Sequence, residues 1–154
     1  MLAPGDDAPR FELPDQHGDT VELPEEGAAV VYFYPRADTP GCTTEACGFR
    51  DAWDAFEERA VPVFGISDDS VDDLADFAEK YDLPFRLLSD ADGSVARQYD
   101  SYGEKRVGGK TFEGAFRNTF VVRDGDVVAV FEGVSPAGHA EEVLAALDGG
   151  GTSA

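Results

Sequence analysis

Ala28-Ala29-Val30-Val31-Tyr32-Phe33-Tyr34 is apolar without interruption and stops at Pro35. A strand with one wet face alternates apolar and polar residues, whereas an unbroken run suits a strand covered on both faces. Val61-Pro62-Val63-Phe64-Gly65-Ile66 reads as a second such strand. Asn118 to Arg123 and Val127 to Phe131 flank Asp124-Gly125-Asp126, a short hairpin connection. Helices fill the gaps. Ser70 with Asp73 starts one that carries Leu74, Phe77, Ala78 and Tyr81 at helical spacing and ends at Leu83-Pro84. A shorter one is expected from Gly93 to Tyr99, and the last opens at Ser135-Pro136 and carries Val143, Leu144 and Leu147. Strands alternating with helices, then a hairpin and a helix, predict an α/β fold with a mixed central sheet flanked by helices.

The 154 residues suit one domain, expected over 1–148, with a Gly-rich flexible tail at 149–154. No apolar run approaches the ~18 residues needed to span a bilayer, so no membrane is expected. Met1 to Asp7 lacks the basic and apolar regions of a signal peptide, which predicts a cytoplasmic protein. The formal net charge is −20, from 32 acidic and 12 basic residues, which argues against a nucleic-acid partner. Acids spread along the whole chain fit either an acidic partner-binding surface or, better, a halophilic protein kept soluble in concentrated salt. At about 1 M salt the Debye length falls to ~3 Å and such self-repulsion is largely screened.

The chemistry centres on Pro35-Arg36-Ala37-Asp38-Thr39-Pro40-Gly41-Cys42-Thr43-Thr44-Glu45-Ala46-Cys47-Gly48-Phe49-Arg50-Asp51, which follows the buried strand directly. Open α/β sheets carry their sites at the C-terminal ends of strands. Thr39 is a good N-cap and Pro40 a good first helical residue. Cys42 then falls in the first helical turn, where free N–H groups and the helix dipole favour an anion such as a thiolate. At about 100° per residue, Cys42, Ala46, Phe49, Trp53, Phe56 and Ala60 form one stripe, with Cys47 about 140° away from Cys42. Taken alone, Cys42 could be a small buried apolar residue ending that stripe. The cap, the upstream strand and the second thiol favour redox chemistry. His17 and His139 do not stand at zinc-finger spacing from the two cysteines.

Pro35, Thr39 and Cys42 fit the Pro-x-x-x-Thr-x-x-Cys pattern of peroxiredoxins. The string Thr39 to Asp51, with Phe77-Ala78-Glu79-Lys80-Tyr81 and Leu87-Leu88-Ser89-Asp90, resembles the bacterioferritin-comigratory-protein, or Q-type, subfamily over nearly the whole chain. The resemblance implies a thioredoxin-like fold and a thiol peroxidase that reduces hydrogen peroxide and organic hydroperoxides. It further implies no metal, haem or flavin cofactor, a thioredoxin-like reductant, and a monomer. Cys42 matches the peroxidatic cysteine, and Cys47 the resolving cysteine with which it forms an intramolecular disulfide. Thr39 matches the residue whose hydroxyl bonds thiolate and peroxide, Pro35 the proline that shields the sulfur, and Arg117 the arginine that steadies both. Phe116 departs from the polar or acidic residue that relatives often carry before that arginine.

A free thiol is only about 3% thiolate at pH 7, so full ionisation gains roughly thirtyfold. Enzymes commonly gain 10⁶ or more, so orientation and stabilisation of the leaving oxygen must supply the rest. Five residues along an intact helix separate two Cα atoms by about 8.7 Å. A disulfide needs roughly 4.4–6.8 Å, so the helix is expected to unwind between Cys42 and Cys47 before they join.

Other readings are weaker. Gly108-Gly109-Lys110-Thr111 fails the spacing of a phosphate loop, and Asp68-Asp69 with Asp72-Asp73 reads as a solvated helix start rather than a calcium loop. Arg36 and Arg50 either add positive potential near Cys42 or are surface residues. A general thiol–disulfide oxidoreductase would want Cys-x-x-Cys rather than Cys-x-x-x-x-Cys. A redox sensor or holdase, switched by the same disulfide, is the alternative from another class.

Overall fold

Successive side chains of a strand point to opposite faces, so the unbroken apolar run needs cover on both sides. It has that cover. The computed structural model describes residues 3–35, 40–107, 109–132 and 138–149. The elements in chain order are β1 (Glu12–Pro14), β2 (Thr20–Glu22), β3 (Ala28–Phe33), α1 (Pro40–Asp51), α2 (Trp53–Glu58), β4 (Val63–Ser67) and α3 (Val71–Tyr81). There follow β5 (Arg86–Ser89), α4 (Ser94–Gln98), β6 (Tyr102–Val107), β7 (Lys110–Ala115), β8 (Thr119–Arg123), β9 (Asp126–Phe131) and α5 (His139–Gly149). Five strands form a mixed sheet in the order β5-β4-β3-β8-β9, with β3, β4 and β5 parallel and β8 antiparallel to β3 and β9. β3 lies at its centre. No helix among the described residues is long and apolar enough to cross a membrane.

The two faces bury two apolar clusters. Val30, Tyr32 and Tyr34 point into the first, where α1, α2, α3 and α5 contribute Cys42, Phe49, Phe56, Phe77 and Val143. Ala29, Val31 and Phe33 point into the second, beneath α4 and the β1–β2 hairpin. On the first face Tyr32 lies across Gly65 of β4, where a Cβ would stand 2.7 Å from its ring. Gly65 is therefore glycine for space.

Several expectations shift in detail. The stripe from Cys42 to Ala60 is two helices, broken at Ala52. Ala60 is exposed at φ 54°, with Val61 N–H bonded to the Phe56 carbonyl and Ala60 N–H to that of Glu57. That is a Schellman ending, so Ala60 turns the chain and does not join the core. Asp82 (φ 53°) ends α3 in the same way, ahead of Leu83-Pro84. Ser70 caps α3 as expected, its Oγ accepting from Asp73 N–H at 3.2 Å. The second strand begins at Val63, two residues later than its apolar run. Gly109 takes φ 80° in the turn before β7, which pairs antiparallel with β6, so Gly109 serves a hairpin, and Gly108 lies outside the described residues. The expected opening of the last helix at Ser135-Pro136 lies outside the described residues, as does the tail beyond Gly149.

Candidate active site

β3 delivers the chain at Phe33 to the end of the sheet, and α1 starts again at Pro40. Cys42 is the third residue of α1, buried at 1% exposure, in a first turn that holds no acidic residue. No carboxylate of that first turn therefore competes with a thiolate for the helix dipole. Antiparallel pairing of β3 with β8 sets Tyr32 against Thr119. Extended by two residues, that register brings Arg117 opposite Tyr34, beside the start of α1.

Arg117 reaches two partners at once. Its Nη2 donates to Cys42 Sγ at 3.4 Å, and its Nη1 donates to Glu45 Oε1 at 3.0 Å. The planar guanidinium presents parallel N–H groups, so a carboxylate held on one nitrogen aims the other. Glu45 is itself buried, and its Oε2 takes no hydrogen bond among the described residues. Burial pushes its carboxyl up to about 7, against the opposing pull of Arg117. The hydroxyls of Tyr32 and Tyr34 are buried near the same groups, and burial raises both, so they remain neutral. Tyr32 stacks on Phe49, with ring centroids 4.8 Å apart.

Cys47 lies on another side of α1. It is half-buried and free, as Cys42 is free, and lines a surface groove with Thr43, Thr44, Gly48, Asp51, Gly138 and Glu141. Arg50 donates to the Tyr81 carbonyl at 2.8 Å and to Asp51 at 3.0 Å, which ties α1 to the end of α3. Of its two readings the surface one fits, since the charge facing Cys42 is that of Arg117. Pro35 is half-buried at the end of β3, whereas Thr39 and Arg36 lie outside the described residues. No group of three or more His, Cys, Asp or Glu side chains that could hold a metal occurs among the described residues.

The structure thus brings Cys42 and Arg117 together and adds Glu45, which the sequence reading passed over. A signal was available: three residues after Cys42, Glu45 falls on the same side of a helix. In the sequence His139 offers itself only as a zinc ligand at the wrong spacing. It is buried, and its Nε2 lies 2.7 Å from Thr119 Oγ1.

The sequence pattern of the AhpC/TSA family matches residues 4–130. The chain belongs to that family. Peroxiredoxin Bcp of Escherichia coli K12 is 47% identical over 146 residues, covering 93% of this chain and 94% of its own length. Among solved structures, peroxidoxin BcpB of Mycobacterium tuberculosis superposes with a TM-score of 0.85 at 40% identity, covering 96% of this chain and 97% of that one. The bacterioferritin comigratory protein of Xanthomonas campestris, studied for alkyl peroxide reduction, gives 0.84 at 37% identity over 90% of each chain. The expected subfamily, thioredoxin-like fold and thiol peroxidase activity are borne out: the chain is a peroxiredoxin of the Bcp, or Q, group.

Proposed function

We propose that Cys42 attacks the peroxide and that Cys47 resolves the product. The Cys42 thiolate attacks the terminal oxygen of ROOH, so that an S–O bond forms as the O–O bond breaks, giving the sulfenic acid Cys42–SOH and an alkoxide that leaves as ROH after gaining a proton. The Cys47 thiol then condenses with Cys42–SOH, releasing water and leaving a Cys42–Cys47 disulfide. That step also withdraws the sulfur from irreversible oxidation. A dithiol donor of the thioredoxin kind restores both thiols.

One observation carries this reading: a buried cysteine in a first helical turn with an arginine nitrogen 3.4 Å from its sulfur. The guanidinium that faces the thiolate also suits the charge that develops on the leaving oxygen. Thr39 is assigned to bonding thiolate and peroxide, and Pro35 to shielding the sulfur, by likeness to the family. Alkyl hydroperoxides join hydrogen peroxide as substrates, by analogy with the Xanthomonas relative. Two cysteines about 8.7 Å apart along an intact helix cannot bond, so residues 42–47 unwind during the cycle. The reading treats residues 1–148 as one domain, monomeric and cytoplasmic, and the −20 charge as an adaptation to salt.

Variants test the assignment. Cys42→Ser should abolish peroxide-dependent NADPH oxidation coupled through thioredoxin and its reductase, and residual turnover above about a tenth of wild type would sink it. Cys47→Ser should still react once, leaving a sulfenic acid that a dimedone-type probe traps on Cys42. Absence of that adduct would remove Cys47 from the resolving role. Insulin disulfide reduction without peroxide consumption would instead point to a general thiol–disulfide oxidoreductase.

A further inference from the structure

His139 opens α5 with 1% of its surface exposed. Its Nε2 lies 2.7 Å from Thr119 Oγ1 in β8, and its Nδ1 lies 3.5 Å from Glu142 Oε1 on its own helix. The ring meets Phe49 of α1 edge to face at 5.7 Å and Phe131 of β9 at 5.4 Å. One side chain therefore joins α5 to α1, β8 and β9. Its position is specific to the segment that has to open. Phe49 follows Cys47-Gly48 directly, and Gly138 and Glu141, on either side of His139 in sequence, line the groove shared with Thr43, Cys47 and Gly48. Thr119 stands two residues from Arg117.

We propose that His139 is a positioning residue for disulfide formation: its ring holds the first turn of α5 and Phe49 against β8, and so sets how readily residues 42–48 open. The inference rests on the roles given above to Cys42 and Cys47. A proton on Nδ1, which makes no hydrogen bond among the described residues and lies 3.5 Å from Glu142 Oε1, leaves Nε2 free to accept from the Thr119 hydroxyl, so the neutral ring keeps its bond to β8. Burial lowers the proton affinity of the ring, Glu142 raises it and Arg117 lowers it. These are the charged groups that face it among the described residues: Glu142 from α5 and Arg117 from the loop before β8. The other packed elements present Phe49, Phe131 and the neutral Thr119. Opening would expose the ring to water and restore its ordinary affinity, so acid favours the open state through His139. Glu45 acts in the opposite sense, because burial makes its carboxyl hold a proton in the closed state.

The test uses full-length reduced protein with His139→Gln, which can offer an amide to Thr119 without a ring, and His139→Phe, which keeps the ring without a polar atom. Neither side chain titrates. Trp53, the single tryptophan in the sequence, lies beside Phe85 and supplies a fluorescence signal for stopped-flow mixing with hydrogen peroxide. Mass analysis of quenched samples assigns the phases to sulfenic acid and disulfide. Both variants should form the disulfide at least about fivefold faster than wild type, His139→Phe through the lost hydrogen bond to Thr119 and His139→Gln through the lost ring contacts with Phe49 and Phe131, while the peroxide step stays within about twofold. From about pH 8 to about pH 5 the variants' advantage should shrink, because wild-type His139 gains a proton and loses its hold. A merely structural histidine would not move that ratio. Equal disulfide rates in all three proteins, or a ratio independent of pH, would overturn the inference alone. Absence of any Cys42–Cys47 disulfide in wild type would overturn the reading beneath it as well. Should neither variant fold, amide exchange over Thr43–Gly48 in the reduced protein decides. The measurement is made on Glu45→Gln, which removes the opposing carboxyl titration. After correction for intrinsic rates, protection in that variant that weakens toward acid supports the inference, and protection independent of pH refutes it.

Discussion

Replacing Glu45 by glutamine removes one titrating proton from the site while leaving an amide oxygen to accept from Arg117. Unfolded, the carboxyl ionises near its ordinary value of 4.5, whereas in the native protein burial holds it at about 7, with the Arg117 contact already acting against that rise. Below 4.5 both states carry the proton and the native protein is penalised in neither. Between 4.5 and 7 the unfolded chain has released the proton and the native chain keeps it, so stability falls as pH rises through that window and levels off above 7. The gap between the two values corresponds to about 3 kcal/mol. Glu45→Gln lacks this slope. Relative to wild type, the variant should therefore gain about 3 kcal/mol between pH 4.5 and pH 8, whatever fixed cost or benefit the substitution brings. Acids elsewhere in the chain titrate in both proteins and cancel in the difference. Urea unfolding of the reduced proteins, followed through Trp53 fluorescence in constant molar potassium chloride, measures it at each pH. A difference that stays flat to within about 0.5 kcal/mol across the window would show that the native carboxyl ionises normally. The account of Glu45 as a buried, proton-holding partner of Arg117 would then be wrong.

Three further outcomes follow from the same structure. Arg117→Ala should cost at least about 2 kcal/mol of transition-state stabilisation, roughly thirtyfold in the second-order rate with peroxide, and an unchanged rate would move the charge-stabilising role elsewhere. Gly65→Ala should destabilise the fold by ~1–3 kcal/mol, because the added Cβ would stand 2.7 Å from the buried Tyr32 ring, which is itself stacked on Phe49. An unaltered urea midpoint would mean that the ring can retreat. With a net charge of −20, the thermal midpoint should rise from dilute buffer to molar potassium chloride as the Debye length shrinks toward ~3 Å. A midpoint independent of salt would remove the halophilic reading and leave the peroxidase untouched.

The parts of this molecule that sequence periodicity predicts are those whose partners do not matter. β3 is legible because seven apolar residues in a row require cover whatever supplies it, and α3 is legible because Ser70 and Asp73 meet within one turn. Chain direction after a helix is harder to read when no glycine marks it. Ala60, Asp82 and Asp100 all take left-handed backbone, and nothing in an alanine or aspartate announces a Schellman turn. The sheet edge is hidden for a related reason. Gln16 pairs with β5 through its side chain, accepting from Leu87 N–H at 3.0 Å and donating to the Phe85 carbonyl at 3.2 Å. A side-chain amide standing in for a strand leaves no alternation to detect.

The site divides along the same line. Cys42 at a helix start is a local fact, readable from Thr39-Pro40 and the strand before it. Arg117 came only from family resemblance, because its meeting with Cys42 spans 75 positions and depends on the antiparallel register of β8 against β3. A slip of one residue in that register would turn Arg117 to the other face of the sheet and send Thr119 away from His139. The arginine that faces the thiolate and the threonine that bonds His139 are thus held by one strand pairing. Glu45 depends on it too, since burial without Arg117 would leave its carboxyl with no charged partner. The bulge between Val121 and Val122 falls on the far pairing of β8, with β9, and leaves the β3 register continuous from Ala28 to Tyr32. The irregular side of β8 therefore faces the edge strand, and the regular side carries the chemistry.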